Sequence, residues 1–184
     1  MQSHETPYEA IRHAMNDLWV FGYGSLIWRP GFEFEERAKA RIAGYHRSLC
    51  VRSHVHRGTP ERPGLVFGLD RGGSCVGMAF RVRHEAQAAV LTYLRERELV
   101  TNVYREVTAS LRLLDGRPIR AVAFVVDRGH SQYAGAVSVE HAAEVVAQAH
   151  GQSGANVDYV RSSLTEIQAM GLRDPWLEAV VARL

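Results

Sequence analysis

Three short stretches of this chain hold residue types that can do chemistry at close spacing. The first is Gly22-Tyr23-Gly24-Ser25, set between the apolar runs Leu18-Trp19-Val20-Phe21 and Leu26-Ile27-Trp28. Two glycines two positions apart remove side-chain bulk and permit positive φ. A sharp turn there leaves consecutive backbone N–H groups facing one space, a nest for a carboxylate or an oxyanion. The second is Arg95-Glu96-Arg97-Glu98. A carboxylate held beside an apolar surface has a raised pKa and can serve as an acid or a base. Glu98 follows Leu94 by four residues and Leu91 by seven, whereas Glu96 follows the stripe of Ala89 and Tyr93. Periodicity leaves both glutamates open, and a solvated charge run would read the same way. The third is the loop His54-Val55-His56-Arg57-Gly58-Thr59-Pro60. Its two histidines have a spacing that metals sometimes use, yet no third ligand converges on them, so no metal site is expected. Arg57 beside them is suited to a bidentate grip on a carboxylate. Ser25 has no G-x-S-x-G setting and no nearby His and Asp, which argues against a nucleophilic serine.

The elements that must position these residues follow from pattern. Leu18–Phe21 is too short for a helix and reads as a buried strand that delivers the glycine turn. Phe32–Ala38 reads as a charged loop and 40–51 as a strand. Residues 53–64, rich in glycine and proline, read as an exposed loop. Leu65–Leu69 and Cys75–Val82 read as two strands joined by a turn at Arg71-Gly72-Gly73-Ser74, with Gly68 and Gly77 marking bulges or close backbone approach. Glu85–Glu98 has helical spacing of Ala86, Ala89, Val90, Tyr93 and Leu94. Residues 103–114 and 117–127 alternate on either side of Asp115-Gly116, a hairpin signal. The tail is helical. Ser138 caps one helix that Gly151 stops; Asn156 caps a second that carries Val157, Val160, Leu164 and Ile167 and ends at Gly171; Asp174-Pro175 opens a third. Strands first, one helix inserted and helices last define an α+β domain.

At 184 residues with 46% apolar and 23% charged residues, the chain suits one ordinary globular domain, spanning 18–184 behind an N-terminal arm at 1–17. The formal charge of +2 gives no electrostatic footprint for nucleic acid or a membrane surface. No stretch is long and apolar enough for a membrane helix. Met1–Asp17 has no apolar core of a secretory signal. Cys50 and Cys75 lack CxxC spacing and suit a reducing compartment, so a cytoplasmic location is expected, and no obligate protein partner is evident.

Val20-Phe21-Gly22-Tyr23-Gly24-Ser25-Leu26-Ile27-Trp28 resembles the N-terminal signature of the ChaC-type γ-glutamylcyclotransferases. The resemblance extends, in the family's order, through Tyr45, His54–Pro60 with Arg62-Pro63-Gly64, Tyr93–Glu98, and Ser153-Gly154-Ala155-Asn156 with Tyr159. It implies a mixed β-barrel with flanking helices and a helical C-terminal part. It implies cleavage of glutathione to 5-oxoproline and Cys-Gly, without metal or organic cofactor. The family's Y-L-x-x-R-E pattern places its acid/base residue at Glu98. Substrate contacts fall to Val20, Phe21, Gly22, Tyr23, Gly24, Ser25 and Leu26, and to Tyr159. One departure concerns Tyr104. The family often has Gly-Tyr soon after the glutamate, whereas here Leu99-Val100-Thr101-Asn102-Val103 intervenes. Cyclotransferases for other γ-glutamyl peptides or for γ-glutamyl amines, and a non-catalytic binding or regulatory protein, are the alternative expectations.

Overall fold

The computed structural model describes residues 17–184. The expected arm at 1–17 lies outside the described residues except for Asp17, whose carboxylate reaches Arg81 at 3.5 Å.

Five strands close into a barrel. They are β1 (Leu18–Gly22), β2 (Glu36–Ser53), β3 (Gly64–Val82), β4 (Tyr104–Leu113) and β5 (Pro118–Val126), in the order β1-β3-β2-β4-β5. Neighbours run antiparallel except at the closure, where β1 lies parallel to β5 through Trp19↔Ala121 and Val20↔Val122. Among the described residues the helices are α1 (Gln87–Glu98), α2 (Val139–Gln148), α3 (Asn156–Ala169) and α4 (Pro175–Val181). A two-residue pair, β6 (His150–Gly151) and β7 (Gly154–Ala155), separates α2 from α3. The architecture is the expected α+β mixed barrel with helices flanking it and following it.

The continuous apolar run of β1 has a packing reason. Trp19 and Phe21 join the main core, which also takes in α2, α3 and α4, while Val20 joins a second cluster with Val90 and Leu94 of α1. A strand buried on both faces has no polar face to alternate with. β5 behaves likewise over its second half. Ala121, Ala123 and Val125 enter the main core, and Val122 and Phe124 lie against α1.

Two strand expectations need correction. The segment 71–74 is not a chain reversal, because β3 is one strand of 19 residues paired with β2 along its length. Gly72 and Gly73, at φ 103° and 65°, oppose Gly44 at φ 83°, and the ladder steps from Ala43↔Ser74 to Tyr45↔Arg71. The extra residue forms a β-bulge that bends the hairpin without breaking it. β2 likewise begins at Glu36, inside the expected loop, because Glu36–Lys39 pair with Met78–Arg81. At Gly77 a side chain would run into the Gly22 carbonyl and the Phe21 ring, so the expected close approach is real.

The helices follow their capping signals in part. Ser138 Oγ accepts the His141 amide, and Asp174 accepts that of Leu177, with Pro175 at the first position of α4. Gly151 does not stop α2. That helix ends at Gln148, and Gly151 sits in β6, packed against the backbone of Val55–Gly58. Asn156 is not a cap either. It is the first residue of α3, fully buried; its Oδ1 accepts the Leu65 amide at 2.7 Å and its Nδ2 donates to the Leu65 carbonyl at 2.9 Å. A side chain with one acceptor and one donor thus replaces a missing strand neighbour on β3.

Candidate active site

Because β1 and β5 run parallel and β4 runs against β5, the C-terminal ends of β1 and β5 and the start of β4 meet at one end of the barrel. A cavity of about 280 Å³ opens there. Tyr23, Gly24, Ser25 and Leu26 form one wall, Glu98 and Tyr104 another, and Val66, Phe67 and Phe124 an apolar floor. Tyr159 of α3 and the mouth residues His56, Arg57 and Ser153 complete it.

The structure separates the two glutamates. The buried stripe of α1 runs through Val90 and Leu94, with Leu91 partly covered, and one more turn along it places Glu98 on the cavity wall. On the rival stripe Tyr93 is half-buried against the second cluster, but Ala89 and Glu96 are exposed, so Glu96 is off the cavity. The Glu98 side chain is 17% exposed. Burial raises its pKa, and the Arg97 guanidinium, with Nε 3.3 Å from Oε1, opposes part of that rise. Arg97 also fixes where the helix ends. It donates to the carbonyls of Arg29 (2.7 Å) and Pro30 (3.3 Å), to the Tyr93 phenol (3.0 Å) and to Ser25 Oγ (2.9 Å). The serine hydroxyl is therefore an acceptor in a structural contact.

The glycine turn is sharp, as expected, but for a different reason. Ser25–Ile27 form one turn of 3₁₀ helix closed by the Ile27 amide on the Gly24 carbonyl at 2.9 Å. Neither Gly22 nor Gly24 has a positive φ; Gly24 lies at φ −132°. Gly22 is required by contact instead, since a Cβ there would meet Leu26 Cβ at 2.9 Å. Among the described residues, no protein group accepts from the amides of Gly24, Ser25 and Leu26. Val20, Phe21 and Gly22, expected as substrate contacts, do not line the cavity. They belong to β1, where Val20 and Phe21 are wholly buried in the two apolar clusters, and their part is to hold the turn.

Three phenols surround the carboxylate. The Tyr104 hydroxyl donates to the Phe67 carbonyl at 2.6 Å, and the Phe67 amide donates to the Tyr159 oxygen at 3.2 Å, so both rings are hung from one residue of β3. Burial holds Tyr23 and Tyr104 well above the usual tyrosine range and pushes Tyr159 up to about 12, the charge of Glu98 adding to each. All three remain neutral O–H groups at physiological pH. The departure between Glu98 and Tyr104 therefore does not remove Tyr104 from the wall. Asn102, at φ 56°, turns the chain so that Tyr104 enters β4 facing the cavity.

The histidine loop is strapped to β6 and β7. The amides of Gln152 and Ser153 donate to the Val55 and His56 carbonyls at 2.8 and 2.9 Å, and His56 Nδ1 lies 2.9 Å from Ser153 Oγ. Arg57 donates to the Ser153 carbonyl at 2.6 Å and lies over the Tyr159 ring, 5.4 Å from its centroid. No carboxylate pairs with it among the described residues. His54 does not line the cavity, and no group of three His, Cys, Asp or Glu residues able to hold a metal occurs among the described residues. Val66, Phe67 and Phe124 went unmarked in the sequence, where they are ordinary strand residues. Only the fold shows that their strands end at this cavity.

Fold and cavity define a class: a closed mixed barrel with a pocket of small-molecule size at the end where its parallel strands finish. The family model described as ChaC-like protein matches residues 18–184. A curated Escherichia coli relative, named glutathione-specific gamma-glutamylcyclotransferase, is 36% identical over 168 residues, covering 91% of this chain and 73% of the relative. The human glutathione-specific gamma-glutamylcyclotransferase 1 is 32% identical over 188 residues, covering 96% and 85%. A crystal structure of a yeast γ-glutamyl cyclotransferase specific to glutathione superposes with a TM-score of 0.81 at 22% identity, covering 91% of this chain and 95% of that one. This chain belongs to the ChaC-like family.

Proposed function

We propose that this chain cleaves glutathione to 5-oxoproline and Cys-Gly. The observation that carries the reading is a mostly buried carboxylate, Glu98, sharing one cavity with a row of backbone amides that no group among the described residues engages. The names of the curated relatives support the same substrate.

A γ-glutamyl amide contains its own nucleophile. The α-amino nitrogen attacks the γ-carbonyl carbon, a five-membered ring closes, and the amide bond to cysteine breaks. Glu98 takes a proton from the α-ammonium group and returns one to the departing amine; the second proton, shed as the attacking nitrogen becomes the lactam N–H, leaves with that amine as its ammonium form or passes to solvent, so atoms and charge balance without metal or organic cofactor. Tyr23–Leu26 present their amides to the α-carboxylate and to the oxygen that gains charge as the ring forms. Tyr23, Tyr104 and Tyr159 stay protonated and confine the folded glutamyl chain. Holding the two ends together uses intramolecular proximity, for which effective molarities reach about 10⁵–10⁸ M. Arg57 at the mouth is placed to meet a carboxylate of the substrate. Cytoplasmic location fits two free, buried thiols, and no described helix is long and apolar enough to cross a membrane.

The test is parallel incubation with glutathione, γ-Glu-Ala and γ-glutamyl-lysine, measuring 5-oxoproline in each. Glutathione alone should yield it. Faster release from γ-glutamyl-lysine would instead identify an enzyme for γ-glutamyl amines, and release from none would leave a binding protein.

A further inference from the structure

The peptide unit between Tyr23 and Gly24 has little of its own to hold it. Glycines sit on both sides of Tyr23, and Gly24 carries no side chain to lock its plane. One edge of that unit, the Tyr23 carbonyl, accepts a hydrogen bond from Arg47 Nε. The other edge is the Gly24 amide. In a trans peptide the two edges point in opposite directions, and no cis bond occurs among the described residues. Whatever grips the carbonyl therefore aims the amide.

Arg47 is built into the fold as a rigid grip. It comes from β2, and its side chain is only 4% exposed. Its Nη2 donates to the Val76 carbonyl of β3 at 3.0 Å, and its Nη1 meets Asp174 at 3.2 Å. The bonds from Nη2 to Val76 and from Nε to Tyr23 fix the guanidinium plane by themselves, and Asp174 adds charge rather than orientation. A charged donor on a carbonyl also polarises the whole peptide and strengthens the N–H at its far edge.

We infer that Arg47 is a positioning residue for the reaction. By fixing the Tyr23–Gly24 peptide plane it aims the Gly24 amide at the glutamyl part of the substrate. This rests on the proposed role of the Tyr23–Leu26 turn. Arg47 itself touches no substrate.

Arg47→Lys keeps the charge beside Asp174, but a flexible ammonium cannot hold all three partners in one plane. Asp174→Asn serves as the control, since it weakens the ion pair and the start of α4 while leaving the Tyr23 contact. Three quantities are read: melting temperature, kcat and KM with glutathione, and the NMR shift of the Gly24 amide with and without 5-oxoproline. Arg47→Lys should lose about 10- to 100-fold in kcat/KM, less than the roughly 10²–10³-fold of deleting an oxyanion donor outright. The loss falls on KM if the amide holds the α-carboxylate and on kcat if it holds the oxyanion. Its Gly24 amide should be displaced before ligand is added. Asp174→Asn should melt earlier yet keep kcat/KM within about twofold once corrected for folded fraction. A kcat/KM loss in both variants that only tracks the unfolded fraction would overturn the inference, as would an Asp174→Asn defect equal to that of Arg47→Lys. If Arg47→Lys does not fold, Arg47→Gln is judged by the same criteria. A wild-type Gly24 amide that ignores 5-oxoproline would overturn the proposed contact itself. An amide that responds alike in wild type and Arg47→Lys would overturn the inference alone.

Discussion

Glu98 carries two opposed demands. Its burial raises its pKa above the ordinary value near 4.5, which suits a group that must take a proton and give it back. The same burial works against the fold. For a carboxyl with a raised folded-state pKa, the stabilisation is fully present below the unfolded value and is lost as pH rises through the folded one. Glu98→Gln should therefore melt above wild type at pH 7–8, with the difference shrinking toward pH 4; thermal scans across that range check it. The same variant should lose about 10²–10⁴-fold in turnover, and the acid limb of the wild-type kcat/KM profile should fall above the usual glutamate range. Glu96→Gln should behave as wild type, because Glu96 is exposed and off the cavity. If Glu96→Gln is the inactive variant, the assignment of the family pattern is wrong. Residue types and periodicity alone could not choose between these glutamates, since each follows a partly apolar stripe. The choice was made by which side of α1 packs on Val20, Val122 and Phe124, and that is decided by the barrel.

Among the elements, α3 ties the helical tail to the strand that floors the cavity. Asn156 and Tyr159 are three residues apart on one helix face, and they grip β3 at Leu65 and Phe67, two residues apart on the strand. The cap-like residue type of Asn156 led to the wrong expectation because an asparagine side chain at a helix start can cap that helix or bond a distant strand equally well. Its true partner is 91 residues away. The glycine pair 72–73 misled for a related reason, since a turn and a bulge both call for positive φ. Arg47 gave no signal, being one of many arginines in an alternating strand, with partners 24, 29 and 127 residues distant. Local pattern gave most of the barrel strand segments, the caps at Ser138 and Asp174 and the glycine turn. It could not give what depends on pairing across the barrel. Asn156→Ala leaves the Leu65 amide and carbonyl buried without partners, so it should cost about 2–4 kcal/mol. Denaturant melts measure that cost. Because α3 then loosens, kcat/KM at temperatures well below melting should also fall; full activity there would show that Tyr159 is held without the clamp.

At the scale of the whole molecule, the long β2–β3 hairpin must stay attached to the segment after β5. Asp70 on β3 does this. It is 4% exposed, and its carboxylate accepts from Arg128 Nε and the Tyr133 hydroxyl, both at 2.7 Å, and from the Arg71 amide at 2.8 Å. Burial alone would raise its pKa, but these donors outweigh burial and hold it below the usual aspartate value. The sign is the reverse of that for Glu98: the stabilisation is present above the unfolded value near 3.8 and lost as pH falls through the folded one. Asp70→Asn keeps one good acceptor and should cost about 1–3 kcal/mol at neutral pH. Its melting temperature should fall less steeply than that of wild type below pH 4. An unchanged acid slope would show that another carboxylate sets the acid limit.

The parallel closure of β1 on β5 has a consequence in time. Trp19 and Val20 find Ala121 and Val122 only when that later stretch exists. A ribosome adding about 5–20 residues per second takes roughly 5–20 s to cover the intervening ~100 residues. During that interval Leu-Trp-Val-Phe has an unfilled hydrogen-bonding edge and, until Gln87–Glu98 has been made, no α1 over its far face, the setting in which strands pair with the wrong chain. The glycine turn is thus among the first parts of the molecule to be synthesised and among the last to be held in place.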